Sequence, residues 1–127
     1  MVEDRTTDGK RIAQLLSSEV SSREDSGLDA LEVVNAEPDV EPSADGELAY
    51  EVAVGDGAAD DSILAAVYVQ EDRVRVEFRE RVDAAAEAAE EADLRVRPKA
   101  VRPPRTLVFV EDGAAVKRAT DVFVSVL

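Results

Sequence analysis

Two stretches of the chain gather side chains that could do chemistry. Asp56, Asp60 and Asp61 fall within Gly55-Asp56-Gly57-Ala58-Ala59-Asp60-Asp61-Ser62, and carboxylates so clustered could hold a hard cation weakly through oxygen ligands. The spacing departs from a calcium-binding loop, which needs alternating acids or amides, a central glycine and a terminal glutamate. A hairpin turn rich in Asp and Gly accounts for it more simply, so no metal is expected. The second stretch is Arg95, Arg97, Lys99, Arg102 and Arg105, five cations within eleven residues, with Pro98, Pro103 and Pro104 among them and no acid. On a stiff, extended segment these could line up against anionic groups.

For that basic run the nearest explanation is local ion pairing, because Asp83, Glu87, Glu90, Glu91 and Asp93 immediately precede it and the two segments cancel. A partner's acidic surface, or the acidic stretch of a second copy, is the next reading. Nucleic acid comes third, since the chain has no recognition helix, stacking-aromatic pattern or paired glycines. Asp8-Gly9-Lys10 lacks the upstream glycine and the Ser or Thr that a phosphate-binding loop needs. Tyr50 and Tyr68 read as sheet residues with ring in the core and hydroxyl at its edge.

The sequence has no His and no Cys. Imidazole acid/base work, serine and cysteine triads, Cys/His zinc sites and disulfides all go with them. No catalytic constellation remains and no cofactor is expected. The reading is therefore a non-enzymatic protein.

The elements that must position these residues follow from periodicity. Ile12, Leu15, Leu16 and Val20 recur at helical steps from Thr7 to about Glu24, with Thr7 or Asp8 as cap, giving an amphipathic helix that needs a sheet to lie on. Leu28 to Ala36 offers a short strand, and residues 37–46, with two prolines and several acids, an exposed acidic loop. Leu48, Tyr50, Val52 and Val54 then alternate with Glu47, Ala49, Glu51 and Ala53, predicting a strand with its first set inward. Ile63 to Val69 reads as a central strand, and Val74, Val76 and Phe78 point inward between Arg73, Arg75, Glu77 and Arg79. Glu80 to Asp93 is an Ala-rich helix, Leu94 to Arg97 and Thr106 to Val110 are two further strands, and the tail from Gly113 leans toward a helix.

The predicted fold is α+β in one domain over residues 1–127: N-terminal helix, four-strand antiparallel meander, Ala-rich helix, two further strands, and a C-terminal helix packed on one face of the sheet. Residues 1–6 are read as disordered. The element order is similar to that of small dimeric secretion chaperones, a likeness that covers no motif residues and carries no function.

The charge is distributed unevenly. Fifteen carboxylates and no Lys or Arg lie between Glu24 and Asp72, while the whole chain carries −14. Such a stretch repels itself unless ions or a cationic partner screen it. Lysine is scarce beside arginine, Val and Ala dominate the apolar residues, and Trp is absent. This composition resembles that of cytosolic proteins from extremely salt-loving archaea, a compositional class and not a characterised family. The resemblance implies salt cations at the acidic surface and a cytoplasmic location. The absence of a basic and apolar leader or of a long apolar run fits a soluble protein. Val122 to Leu127, apolar at nearly every position, needs burial and motivates a homodimer as the working reading, with a nucleic-acid-associated or regulatory module built on Arg95 to Arg105 as the alternative.

Overall fold

A computed structural model of the chain describes residues 8–22, 31–37, 39–54, 63–101 and 104–126. In chain order the elements are α1 (Gly9–Ser22), β1 (Leu31–Val34), β2 (Glu47–Val54), β3 (Ile63–Val69), β4 (Val74–Phe78), α2 (Val82–Glu91), β5 (Arg95–Lys99), β6 (Arg105–Val110) and α3 (Ala115–Ser125). The fold is α+β, a six-stranded sheet in the order β1-β2-β3-β4-β6-β5, with every pairing antiparallel. The β1 to β4 meander is as predicted. Its continuation differs: α2 carries the chain past one strand position, so that β5 becomes the outer edge and β6 returns to pair with β4.

All three helices bury their apolar stripes against one face of the sheet. Asp8 caps α1, its Oδ1 accepting from the Arg11 amide at 3.2 Å. Ile12, Leu16 and Val20 are fully buried one helical turn apart, each contributing roughly 1.5–3 kcal/mol of apolar burial. The start of α1 lies directly on the β3–β4 turn, with the Gly9 amide donating to the Glu71 carbonyl at 3.1 Å. In α2, Ala85 and Ala89 are the buried positions, small enough to bring the helix close to the sheet. The Thr106 hydroxyl fastens β6 to this helix by donating to the Val82 carbonyl at 2.7 Å.

The C-terminal tail is helical, and Val122, Phe123 and Val126 are buried in the chain's own core. Phe123 meets Phe78 of β4 with ring centroids 5.0 Å apart and planes tilted by 44°. Arg81, with left-handed backbone at φ 54°, closes the other end of this contact, its guanidinium donating to the Val126 carbonyl at the C-terminus of α3. An apolar tail in search of a second subunit is thus not what the fold presents. Among the described residues Leu48 and Val101 are the exposed large apolar side chains.

The prediction for β2 fails in an instructive place. Leu48 was expected inward but is 39% exposed, whereas Ala49, expected outward, joins the core. The register shift between Leu48 and Tyr50, which leaves Ala49 with no opposite residue, is the cause; a second shift between Val52 and Ala53 does the same for Leu64 in β3. A β-bulge of one residue swaps which side chains face the core, which strict alternation cannot anticipate. Tyr50 does point inward, and its buried hydroxyl donates to the Ala13 carbonyl at 2.7 Å. Burial also pushes its phenol pKa far above the ordinary value. In the 37–46 loop Glu37, Asp39, Glu41 and Asp45 are exposed, while Val40 joins the core.

Candidate cation-bearing sheet face

The sheet's second face, opposite the helices, is built from the alternate residues of each strand. Side chains i and i+2 share a face, so Val74, Val76 and Phe78 of β4 turn toward the helices and Arg73, Arg75, Glu77 and Arg79 turn away. The pairings extend this across the sheet. One row runs Arg95, Phe109, Arg75, Tyr68 and Leu48; the next runs Arg97, Leu107, Glu77, Ala66 and Glu51; in a third, Lys99 faces Arg105. Cations therefore collect on the β4-β6-β5 half of the face.

Glu77 is the hub. Its carboxylate is 1% exposed, Oε2 accepts from Arg75 Nε at 2.8 Å, and Oε1 accepts from Arg105 Nη1 at 3.0 Å with Lys99 Nζ at 3.5 Å. Burial by itself would raise the pKa of this carboxyl, but the Arg105 hydrogen bond and the charges of Arg75 and Lys99 outweigh it and hold the group below its ordinary value. The same hydrogen bond to Glu77 raises Arg105. Nearby, Arg79 pairs with Glu51 at 2.8 Å, and Glu51 also accepts from the Asn35 side-chain amide at 2.6 Å.

Two aromatic rings lie flat beneath guanidinium groups. Arg75 stands 4.7 Å over the Tyr68 ring and Arg73 stands 4.4 Å over the Phe109 ring. Phe109, at 7% exposure, serves as floor, and Arg73, Arg95 and Arg97 rise around it to form a recess of about 170 Å³. Glu111 lies at the rim, one carboxylate oxygen 3.8 Å from Arg73 and the other 3.8 Å from Arg95. Arg97 is exposed and has no carboxylate partner among the described residues.

Of the sequence candidates, Arg95, Arg97, Lys99 and Arg105 come together on this face, while Arg102 lies outside the described residues. Their ion pairs correct the sequence reading in one respect. They go to Glu77 and Glu111, with none to the acids of α2 among the described residues, because α2 lies on the opposite side of the sheet. The proline-containing segment is also less separate than expected, since β5 runs through Pro98 to Lys99 and β6 begins at Arg105. An edge strand accommodates Pro98 because its missing amide can face solvent. Asp56, Asp60 and Asp61 lie outside the described residues, and among the described residues no cluster of metal-ligating side chains occurs. No helix of the described residues is long and apolar enough to cross a membrane.

The sequence pattern of DUF7993, a family of unknown function, matches residues 1–127. The chain belongs to DUF7993. No curated protein and no solved structure matches it. What this DUF7993 chain does is therefore to be read from the site itself. Sequence reasoning found the β5 and β6 cations but missed Arg73, Arg75, Arg79 and Glu77 as their neighbours. The alternation in β4 showed that these four share a face; that β6 pairs beside β4 was the unforeseen step.

Proposed function

We propose that this protein is a non-enzymatic binding domain that docks a carboxylate-rich protein segment on the β4-β6-β5 half of its sheet's second face. One observation carries the reading. In a chain of net charge −14, Arg73, Arg75, Arg79, Arg95, Arg97, Lys99 and Arg105 share a single surface with Glu51, Glu77 and Glu111 as the carboxylates among them. Adaptation of the surface to solvent alone favours acids everywhere and gives no reason to segregate cations. Guanidinium groups suit carboxylates because their paired donors match the two oxygens.

A polyphosphate chain fits this face less well. Binding of single-stranded nucleic acid relies on aromatic rings open to base stacking, but here Phe109 and Tyr68 each lie under an arginine. Glu77, Glu51 and Glu111 interleave with the cations and would repel a uniform run of phosphates, whereas an acidic peptide of mixed side chains can step around them. The acidic stretch of a second copy is one carboxylate-rich segment of the required kind, which joins this reading to homodimerisation.

The composition supports a cytoplasm of high salt as the working medium. At molar ionic strength the Debye length falls to roughly 3 Å, so docking there would depend on guanidinium–carboxylate contact and not on long-range attraction.

The test is fluorescence anisotropy with a labelled peptide of alternating Glu and Ala, about ten residues and roughly 34 Å when extended. A single-stranded oligonucleotide of equal charge serves as comparator. The peptide is expected to bind at both low and molar KCl, and the triple variant Arg95→Glu, Arg97→Glu, Lys99→Glu, shown folded by circular dichroism, to weaken it at least about tenfold, which corresponds to 1.4 kcal/mol. Light scattering that finds a dimer dissolved by the same triple variant would identify the acidic segment as a second copy's. No peptide binding at low salt, or tighter binding of the oligonucleotide, overturns the proposal.

A further inference from the structure

Resting on the docking reading above, we infer that the recess formed by Arg73, Arg95 and Arg97 over Phe109 is a subsite for one carboxylate, and that Glu111 is the chain's own competitor for it. Exposed arginines are ordinary on a protein surface, so Arg97 alone would mean nothing. Here, however, Arg73, just before β4, and Arg95 and Arg97 of β5 converge on one aromatic ring contributed by β6, the strand between β4 and β5. The recess of about 170 Å³ is several times the roughly 30 Å³ that a water occupies, enough for a carboxylate and the methylenes that carry it. The arginines offer the charge, and the Phe109 ring beneath Arg73 fixes where one of them stands.

The position of Glu111 shows how such a group is drawn in. Its two oxygens are divided between Arg73 and Arg95, both at 3.8 Å. That distance is within ion-pair range but beyond the 2.7–3.2 Å of an N–H···O hydrogen bond, so the Nη donors of Arg73 and the donors of Arg95 stay open to a better-placed acceptor, while Arg73 Nε is already held by the Gln70 side-chain oxygen at 2.9 Å. Arg97, on the same wall as Arg95, adds a third cation that Glu111 does not engage. An incoming carboxylate seated between Arg73, Arg95 and Arg97 gains all three, and Glu111, half in solvent at 44% exposure, gives way at little cost.

The experiment follows the arginine Nε–Hε resonances of nitrogen-15-labelled protein by NMR during titration with glutarate, with inorganic phosphate as a second arm and chloride holding ionic strength constant. Glutarate is expected to shift the Arg73, Arg95 and Arg97 resonances saturably. Glu111→Gln should tighten binding about threefold and Arg97→Gln should weaken it about fivefold, the range of exposed charge contacts. A shift that never saturates, equal affinity in Glu111→Gln, or phosphate binding more tightly than glutarate overturns the subsite. The two proposals fail separately. If the Glu-Ala peptide binds, glutarate does not and Arg97→Gln has no effect on the peptide, the subsite is wrong and the broader face survives. If glutarate binds but the peptide does not, docking of an acidic segment is wrong and a small-carboxylate site remains.

Discussion

At the scale of single residues, Glu77 bears most on the sheet face, because a buried carboxylate with three cations around it determines where their side chains point. The substitution Glu77→Gln keeps the shape but leaves Arg75, Lys99 and Arg105 without their shared anion, and breaking such a buried cluster is expected to cost about 3 kcal/mol in urea denaturation at neutral pH. Its pH dependence has a definite sign. The folded carboxyl lies below its ordinary value of 4.5, so the folded state binds this proton less readily than the unfolded chain. The contribution is fully present above that ordinary value and disappears as the pH falls through the lowered folded value. The stability difference between the parent and Glu77→Gln should therefore be constant near neutrality and close in acid; a difference unchanged down to about pH 2 would show that packing, and not charge, is what the substitution removes.

At the scale of elements, the seating of α1 on the β3–β4 turn depends on the absence of a side chain at its first residue. A glycine in a helix is ordinarily worth replacing, since Ala is better by about 1 kcal/mol. At Gly9 the sign reverses: a Cβ there would stand 1.8 Å from the Gln70 carbonyl oxygen and 2.8 Å from that of Arg73, both backbone atoms that cannot swing aside. Gly9→Ala is expected to destabilise by about 2 kcal/mol, through displacement of the helix from the turn, and thermal unfolding would measure it. An equal or raised midpoint would mean that α1 is not held there. Nothing in the local sequence distinguishes this glycine, because the atoms it would strike lie more than sixty residues away. The same reason limits what else could be read in advance. The helical stripe of Ile12, Leu16 and Val20 and the alternation of Val74, Val76 and Phe78 were legible because period and burial are local properties. The bulges at Ala49 and Leu64, and the return of β6 beside β4, depend on cross-strand fit and so were not.

Over the whole molecule, strand order converts an asymmetry along the chain into one across the sheet. Because β1, β2, β3 and β4 neighbour one another in chain order, the acid-only stretch Glu24 to Asp72 supplies one half of the sheet and its connections, and the arginine-bearing strands supply the other. Glu32, Glu37, Asp39, Glu41 and Asp45 are exposed on the acidic half, where each adds to a repulsion that compaction increases. Salt should relieve it. Raising KCl from 0.1 to 1 M shortens the Debye length from roughly 10 to 3 Å, and the melting midpoint is expected to rise by at least about 5 °C, somewhat over 1 kcal/mol for a chain of this size. The ion pairs of Glu77 are buried and respond weakly, so the gain should come from the acidic half and should shrink in the variant Glu32→Gln, Asp39→Asn, Glu41→Gln, which lowers the repulsion without salt. A midpoint that is flat across this range in the parent chain would mean that the acidic half is not under strain. Its carboxylates would then be better explained as the complement of a basic surface, most simply the arginine-bearing half of another copy.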